Sequence, residues 1–429
     1  MIDIKDLREN PDKYRANMRK KGQDEKKVSF VLSLDEKWRS VKPRADSLRA
    51  ERNKISEQIN QAKKSGKDAK ELIKRAREIP EKLKQLEEEE KETQGELQKA
   101  IYEIPNLMHA KVPEGRSALE NPVIKKWGLP AKPKFKLLNH AELIENLGLA
   151  DFEAGRENSG QGFNYLKSDI ALLDLALQRY GIEFAMKNGF SPVVPPMMLR
   201  KEVMFGALNG LKDFENVVYK VEGEDLYLIG TAEHALVSMM KDKTISGDKL
   251  PLMFCAVTPC FRKEIGGHGV DTKGLFRMHQ FNKVEQVAFS KPEGSWEMLE
   301  KMQKITEKFF QSLKIPYRVI EICAGDLGDK FARQYDIEAW FPRQQEYKEV
   351  TSAGNCTDFQ ARALNIRYNL GSENRFVHVL NNTMVATSRA MVAILENYQQ
   401  KDGSIKIPSV LQKYMLGKKK IEAKKGKKK

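Results

Sequence analysis

Over most of residues 34–104 apolar side chains recur at alternating steps of four and three, which commits that stretch to long paired helices. The first series runs Leu34, Trp38, Val41, Ala45, Leu48, Ile55, Ile59, Ala62, with Arg52 on the skipped seam position. The second runs Leu72, Ala76, Ile79, Leu83, Leu86, Glu90, Thr93, Leu97, Ala100, Ile104. A repeat averaging about 3.5 residues keeps one stripe facing a partner helix, as in a coiled coil. Between the series, Lys63-Lys64-Ser65-Gly66-Lys67-Asp68 reads as a tight turn, so the two helices return on each other as an antiparallel hairpin. Helices of roughly 35 residues project about 50 Å at 1.5 Å per residue. Pro43 predicts a kink, or a helix that starts near it. Pro80 and Gly95 weaken the second helix, and Pro105 ends it. Met1 to about Gln23 reads as a small helical segment packed on the hairpin.

The turn and its flanks carry Lys63, Lys64, Lys67, Lys70, Lys74, Arg75 and Arg77. Charge of one sign at the end of a lever suits a phosphate backbone; a plain dimerisation hairpin is the alternative. The formal net charge of the 429-residue chain is +15. The stretch Lys418–Lys429 holds eight lysines and one glutamate, a net +7 that leaves +8 for the rest. A basic body fits a polyanionic partner, or serves solubility alone. The lysine tail reads as a disordered, solvated end, able to strengthen nucleic-acid binding without reading sequence.

Length predicts two or three domains. Cys255, Cys260, Cys323 and Cys356 form no C-x2-C pair and no zinc-finger spacing, which suits a reducing compartment. The N-terminus mixes acids and bases and lacks a signal-peptide core. No apolar run approaches the roughly 20 residues of a membrane span. The expectation is a soluble, cytoplasmic protein.

Residues 106–170 are proline-rich and read as a linker and entry segment after an N-terminal domain of 1–105. From about 171 to 415 helical and strand patterns mix. Ala171–Met186 reads as a helix, as do stretches near Glu233–Lys241, Ser295–Leu313 and Arg389–Gln399. Leu226–Ile229, Pro251–Phe254 and Val284–Phe289 read as strands. Residues 416–429 are left as the basic tail. There is no G-x-G-x-x-G and no Walker A loop, so a bound nucleotide is held by other means.

The most informative stretch is Cys260-Phe261-Arg262-Lys263-Glu264, a glycine-rich loop, and Phe276-Arg277-Met278-His279-Gln280-Phe281-Asn282-Lys283-Val284-Glu285. Read as strand–loop–strand, with Arg262 and Glu264 two apart on one face, it gathers cations, an aromatic and acids on one groove. Arginine's planar fork holds phosphate oxygens. Phenylalanine stacks a purine, worth about 1–3 kcal/mol in nucleic-acid cases. Arg262 with Glu264 alone would read as a surface ion pair; the whole run is far more specific.

This run resembles motif 2 of the class II aminoacyl-tRNA synthetases, most closely that of the seryl enzymes. Pro196 is similar to the motif 1 proline at the dimer interface. Asn381-Asn382-Thr383, with Ala386 and Arg389, resembles motif 3. Thr231-Ala232-Glu233 resembles the T-x-E signature. Glu349-Val350-Thr351-Ser352 and Asp358-Phe359-Gln360-Ala361-Arg362 resemble the segment closing the ATP site, and Arg52-Asn53-Lys54-Ile55-Ser56 is typical of the arm. The likeness extends to about Met415.

The resemblance implies an α+β protein: an antiparallel sheet flanked by helices, behind an N-terminal coiled-coil arm, dimerised through motif 1. It implies activation of L-serine by ATP, then transfer to the 3′ end of tRNA(Ser), with tRNA(Sec) as a further acceptor. In it Arg262 grips the α-phosphate and Glu264 reads the adenine amino group. Phe281 and Arg389 cover the two adenine faces, Arg389 also reaching the γ-phosphate, and Met278 lines the nucleotide. Glu349 and Ser352 hold magnesium. Thr231, Glu233, Arg262 and Glu285 surround the serine, and Thr383, with Asn381 nearby, reads its hydroxyl. Arg262 and Arg389 stabilise the reacting charge. The arm cations contact the tRNA.

His279 reads as a hydrogen-bonding residue, His234 as structural, and His268 as a loop residue within reach of tRNA. Lys273 stands where the family often has arginine. A zinc-dependent subtype of seryl enzyme exists; the T-x-E signature and the arm here predict no zinc. The rival readings are a paralogue that activates an amino acid without charging tRNA, and a non-enzymatic RNA-binding descendant.

Overall fold

A computed structural model describes residues 1–208, 214, 216–264 and 274–423. His268 and Lys273, and the lysines from Lys424 onward, lie outside the described residues. Two compact units are present, one spanning Ile2–Pro105 and one from Asn106 onward together with Met1.

In the first unit two short helices, α1 (Ile4–Glu9) and α2 (Pro11–Lys20), precede α3 (Lys26–Lys64) and α4 (Lys70–Tyr102). Arg8 reaches Asp35 on α3 at 3.1 Å, and Arg15 donates to Ser29 at 3.1 Å. The heptad seam is the buried stripe: Ile55, Ile79 and Leu83 form a core with Leu48, Ile59, Leu72 and Ala76 packed on it. Arg49 crosses between the helices to Glu87 (3.0 Å) and Glu90 (2.8 Å). The expectation of a helix starting near Pro43 is corrected: α3 runs continuously from Lys26 through Pro43, and α4 runs through Pro80. Both prolines are exposed, so water can satisfy the carbonyls that each missing N–H leaves unpaired.

The second unit is built on an eight-stranded sheet: β1 (Val123–Trp127), β2 (Ser191–Pro192), β3 (Leu252–Phe261), β4 (Gln280–Ser290), β5 (Tyr317–Glu321), β6 (Arg333–Phe341), β7 (Glu346–Asn355) and β8 (His378–Ala386). Their order is β1-β5-β6-β7-β8-β4-β3-β2. Every pairing is antiparallel except β2 with β3. The proline-rich segment thus contributes β1, an edge strand whose residues are mostly exposed, which hides it from a reading based on buried alternation.

Four helices serve the sheet: α5 (Ser168–Lys187), α6 (Ala232–Ser238), α7 (Ser295–Ser312) and α8 (Thr387–Tyr398). Alternate residues of β4 enter two cores. Val284 and Ala288 pack with residues of α5, α7 and α8 such as Leu177, Met302 and Met391. Val287 and Phe289 pack with Leu236 and Val237 of α6. No helix among the described residues is long and apolar enough to cross a membrane.

Two bulges interrupt the central strands. On β7 the pairing runs Ile337 with Thr351 and then Glu338 with Glu349, so Val350 is the extra residue. On β8 it runs Thr383 with Glu285 and then Val385 with Val284, so Met384 is extra. A bulge shifts the face that each later side chain takes.

Candidate active site

The period of two puts Phe281, Lys283 and Glu285 on one face of β4. Thr383 pairs opposite Glu285, and Asn381, two residues earlier, shares its face. Glu349 and Ser352 are three apart and would oppose each other on a regular strand. The Val350 bulge restores them to one face, beside Glu338 and Asp336 of β6.

The result is two adjoining hollows that share Arg262, Lys283, Glu349 and Thr383. The first is lined by Glu264, Phe276, Arg277, Met278, Phe281 and Arg389 as well. Arg262 lies over the Phe281 ring, 5.6 Å from its centroid. Arg389 lies 5.2 Å from the Phe276 centroid and pairs with the Glu349 carboxylate at 2.9 Å. Arginine over an aromatic face is a favourable pairing that also makes a flat, cationic slot. Arg262 and Glu264 line the same hollow but are not on a strand, a correction to the expectation. β3 stops at Phe261, and Glu264 turns with a left-handed φ of +47°.

The second hollow adds Thr231, Glu233, Glu285, Ser352 and Asn381. Thr231 caps α6: its hydroxyl accepts from the Glu233 N–H (3.2 Å) and donates to Glu285 Oε2 (3.1 Å). Two lysines not anticipated from the sequence complete the wall. Lys283 Nζ sits 2.5 Å from Glu285 Oε2 and donates to Thr383 Oγ1 at 3.2 Å. Lys330 Nζ sits 2.5 Å from Glu233 Oε1, which also accepts from Gln360 Nε2 at 2.8 Å. Lys283 was readable from its alternation with Phe281 and Glu285. Lys330 lies in the connection between β5 and β6, where no periodicity marks it.

Burial acts against the charge on Glu233. The Lys330 ammonium beside it holds the carboxyl below the usual range all the same. Burial also opposes the charge on Lys330, which Glu233 nonetheless holds above the usual lysine range. Burial pushes His234 down to about 3, so it is neutral at physiological pH. Asp336, also unanticipated, is pushed up to about 8 by burial and then by the charge of Glu349. Gln334 bridges it to Ser352 (3.1 and 3.0 Å). His279 exchanges a hydrogen bond with the Tyr219 hydroxyl at 2.8 Å, and its carbonyl accepts from the Arg262 N–H at 2.9 Å.

The seven arm cations named from the sequence are all exposed. Of these, Arg75 pairs with Glu51 at 2.7 Å.

An antiparallel sheet carrying an arginine–aromatic slot beside an acidic pocket is the arrangement of a class II aminoacyl-tRNA synthetase. Residues 217–398 match the tRNA synthetase class II core domain (G, H, P, S and T). Residues 1–108 match the seryl-tRNA synthetase N-terminal domain. The chain is 45% identical to the serine–tRNA ligase of Methanoregula boonei, over 97% of this chain and 99% of that protein. The crystal structure of seryl-tRNA synthetase from Pyrococcus horikoshii complexed with ATP is 44% identical, with a TM-score of 0.88 over 99% of this chain and 100% of that one. The cytoplasmic serine–tRNA ligase from Naegleria fowleri in complex with AMP is 36% identical, with a TM-score of 0.82 over 97% and 96%. This chain belongs to the seryl-tRNA synthetase family.

Proposed function

We propose that this protein is an ATP-dependent serine–tRNA ligase that forms seryl adenylate and then loads serine onto tRNA(Ser). The observation that carries the reading is the join between the hollows. Arg262, Lys283, Glu349 and Thr383 stand in both, where the serine carboxylate and the α-phosphate of ATP must meet.

ATP takes the first hollow. Phe281 and Arg389 cover the two faces of adenine, Glu264 accepts from its amino group, and Met278 lines the slot. Arg262 takes an α-phosphate oxygen and Arg389 the γ-phosphate. Serine takes the second hollow. Thr231, Glu233 and Glu285 receive its ammonium, and Thr383 with Asn381 reads its hydroxyl. A carboxylate oxygen attacks the α-phosphorus in line, the bond to the β-phosphate breaks, and pyrophosphate leaves. A terminal ribose hydroxyl of tRNA next attacks the seryl carbonyl and expels AMP. No side chain acts as nucleophile. The rate comes from positioning and from fixed cations that meet the charge as it develops.

Magnesium fits the same wall. Glu349, Ser352 and Asp336 present oxygen donors on one face, as a hard cation prefers. A divalent ion there would also offset the Glu349 charge that, after burial, raises the Asp336 carboxyl. Bound by Glu349 and Ser352, it would neutralise phosphate oxygens of ATP.

The arm cations take the tRNA backbone, by shape more than by base sequence. A second copy of the chain covers motif 1. Val194 is 96% exposed, and Met197, Met198, Leu175 and Met186 are exposed as well, apolar side chains that a second copy would bury. We place the enzyme in the cytoplasm.

The test is ATP–pyrophosphate exchange without tRNA, with alanine, threonine and glycine as controls. Exchange driven by serine alone supports the pocket. A hydroxyl-reading site rejects alanine strongly, and threonine only by size. Folded protein with magnesium that exchanges with no amino acid would leave the chain an RNA-binding protein.

A further inference from the structure

Glu233 and Glu285 of the serine hollow each hold a buried lysine, but the two lysines arrive differently. Lys283 is a strand neighbour of Glu285. Lys330 is brought in from the connection between β5 and β6, and its backbone is fixed there. The Asn106 side-chain amide donates to Lys330 O (2.9 Å) and to Cys356 O (2.7 Å). The Asn106 N–H donates to Asp329 O at 2.7 Å. Lys330 and Glu233 are 7% and 4% exposed.

A pair this deep is weak as a source of stability, because removing two charges from water offsets their attraction. It has a clearer use in binding. Without a counter-ion, a carboxyl in this pocket takes up a proton, and a neutral carboxyl does not attract an ammonium group. The other groups around Glu233 cannot replace Lys330. His234 is neutral, Thr231 faces Glu285, Gln360 carries no charge, Lys283 is engaged by Glu285, and Arg262 donates to Gly230 O. Lys330 and Gln360 both meet Oε1. Among the described residues no donor meets Oε2, which leaves that oxygen for a ligand.

We propose that Lys330 is a positioning residue for the amino-acid substrate: it keeps Glu233 ionised and turned so that its second oxygen receives the serine ammonium. The proposal rests on Glu233 being a serine-binding residue, and the test separates the two. Serine and ATP KM and kcat are measured by pyrophosphate exchange on the full-length protein carrying Lys330→Met, Lys330→Gln, Lys330→Arg, Glu233→Gln, or Glu233→Gln with Lys330→Met. Lys330→Met is expected to raise the serine KM at least about tenfold and to leave the ATP KM within about twofold. Lys330→Arg should recover most of the loss, and the double variant should be no worse than Glu233→Gln alone. Should Lys330→Met fail to fold, Lys330→Gln, which keeps a hydrogen-bond donor without the charge, gives the same reading. An unchanged serine KM in either folded variant, with Glu233→Gln impaired, overturns the role of Lys330. So does a double variant whose losses multiply. An unchanged serine KM in Glu233→Gln overturns the assignment of Glu233 itself.

Discussion

His234 is buried beside Glu233 with no hydrogen-bond partner for Nδ1 among the described residues, and it stays neutral down to about pH 3. The unfolded chain binds that proton near its ordinary value of 6.5. Because the unfolded state is protonated first, the stability tied to this site is full above 6.5 and is lost as pH falls toward 3. Between pH 6.5 and pH 5 the loss is about 2 kcal/mol at 1.36 kcal/mol per unit. Denaturant unfolding at both values should show His234→Gln losing less than the parent by about that amount. Equal losses would mean that the imidazole is solvated in the folded protein. Neighbouring residues differ in how openly the sequence declares them. Phe281 and Glu285 announce a common face by their spacing. Lys330 and Asp336 do not, since one sits in a connection and the other is an ordinary strand acid until its partners are placed.

Among the elements, the arm was the most legible because a heptad seam depends only on local spacing. Its prolines misled because their cost depends on which side of the helix they occupy, and both face water. The ends of the helices flanking the sheet came within a few residues. The proline-rich segment before them was the least legible, since β1 is defined by its pairing with β5 rather than by buried alternation. The bulges were invisible too, because parity is set across a strand pair and not along one strand. Glu349 and Ser352 look misplaced on paper, three apart, and only the extra Val350 reconciles them. Inserting an alanine between Glu349 and Val350 adds a second extra residue and should therefore turn Glu349 to the opposite face. Pyrophosphate exchange should drop by at least about a hundredfold, the scale of losing one well-placed charge-stabilising group, whereas Val350→Ala should keep most activity. Retained exchange in the insertion variant would show that Glu349 is not needed at that position.

On the scale of the whole molecule the proposed function divides the labour between the two units. Neutralising Lys63, Lys64, Lys67, Lys70, Lys74 and Arg77 together should leave serine-dependent exchange within about twofold and reduce tRNA charging. The salt dependence of tRNA binding should flatten by about 0.7–0.9 per phosphate contact removed. Equal loss of both activities would argue against an arm devoted to tRNA. Within the catalytic unit no such division holds, because the two hollows have four side chains in common. An occupant of one alters the charges that greet the occupant of the other. Serine and ATP are therefore thermodynamically linked before any bond is made: whatever factor the first ligand applies to the affinity of the second, the second must apply to the first.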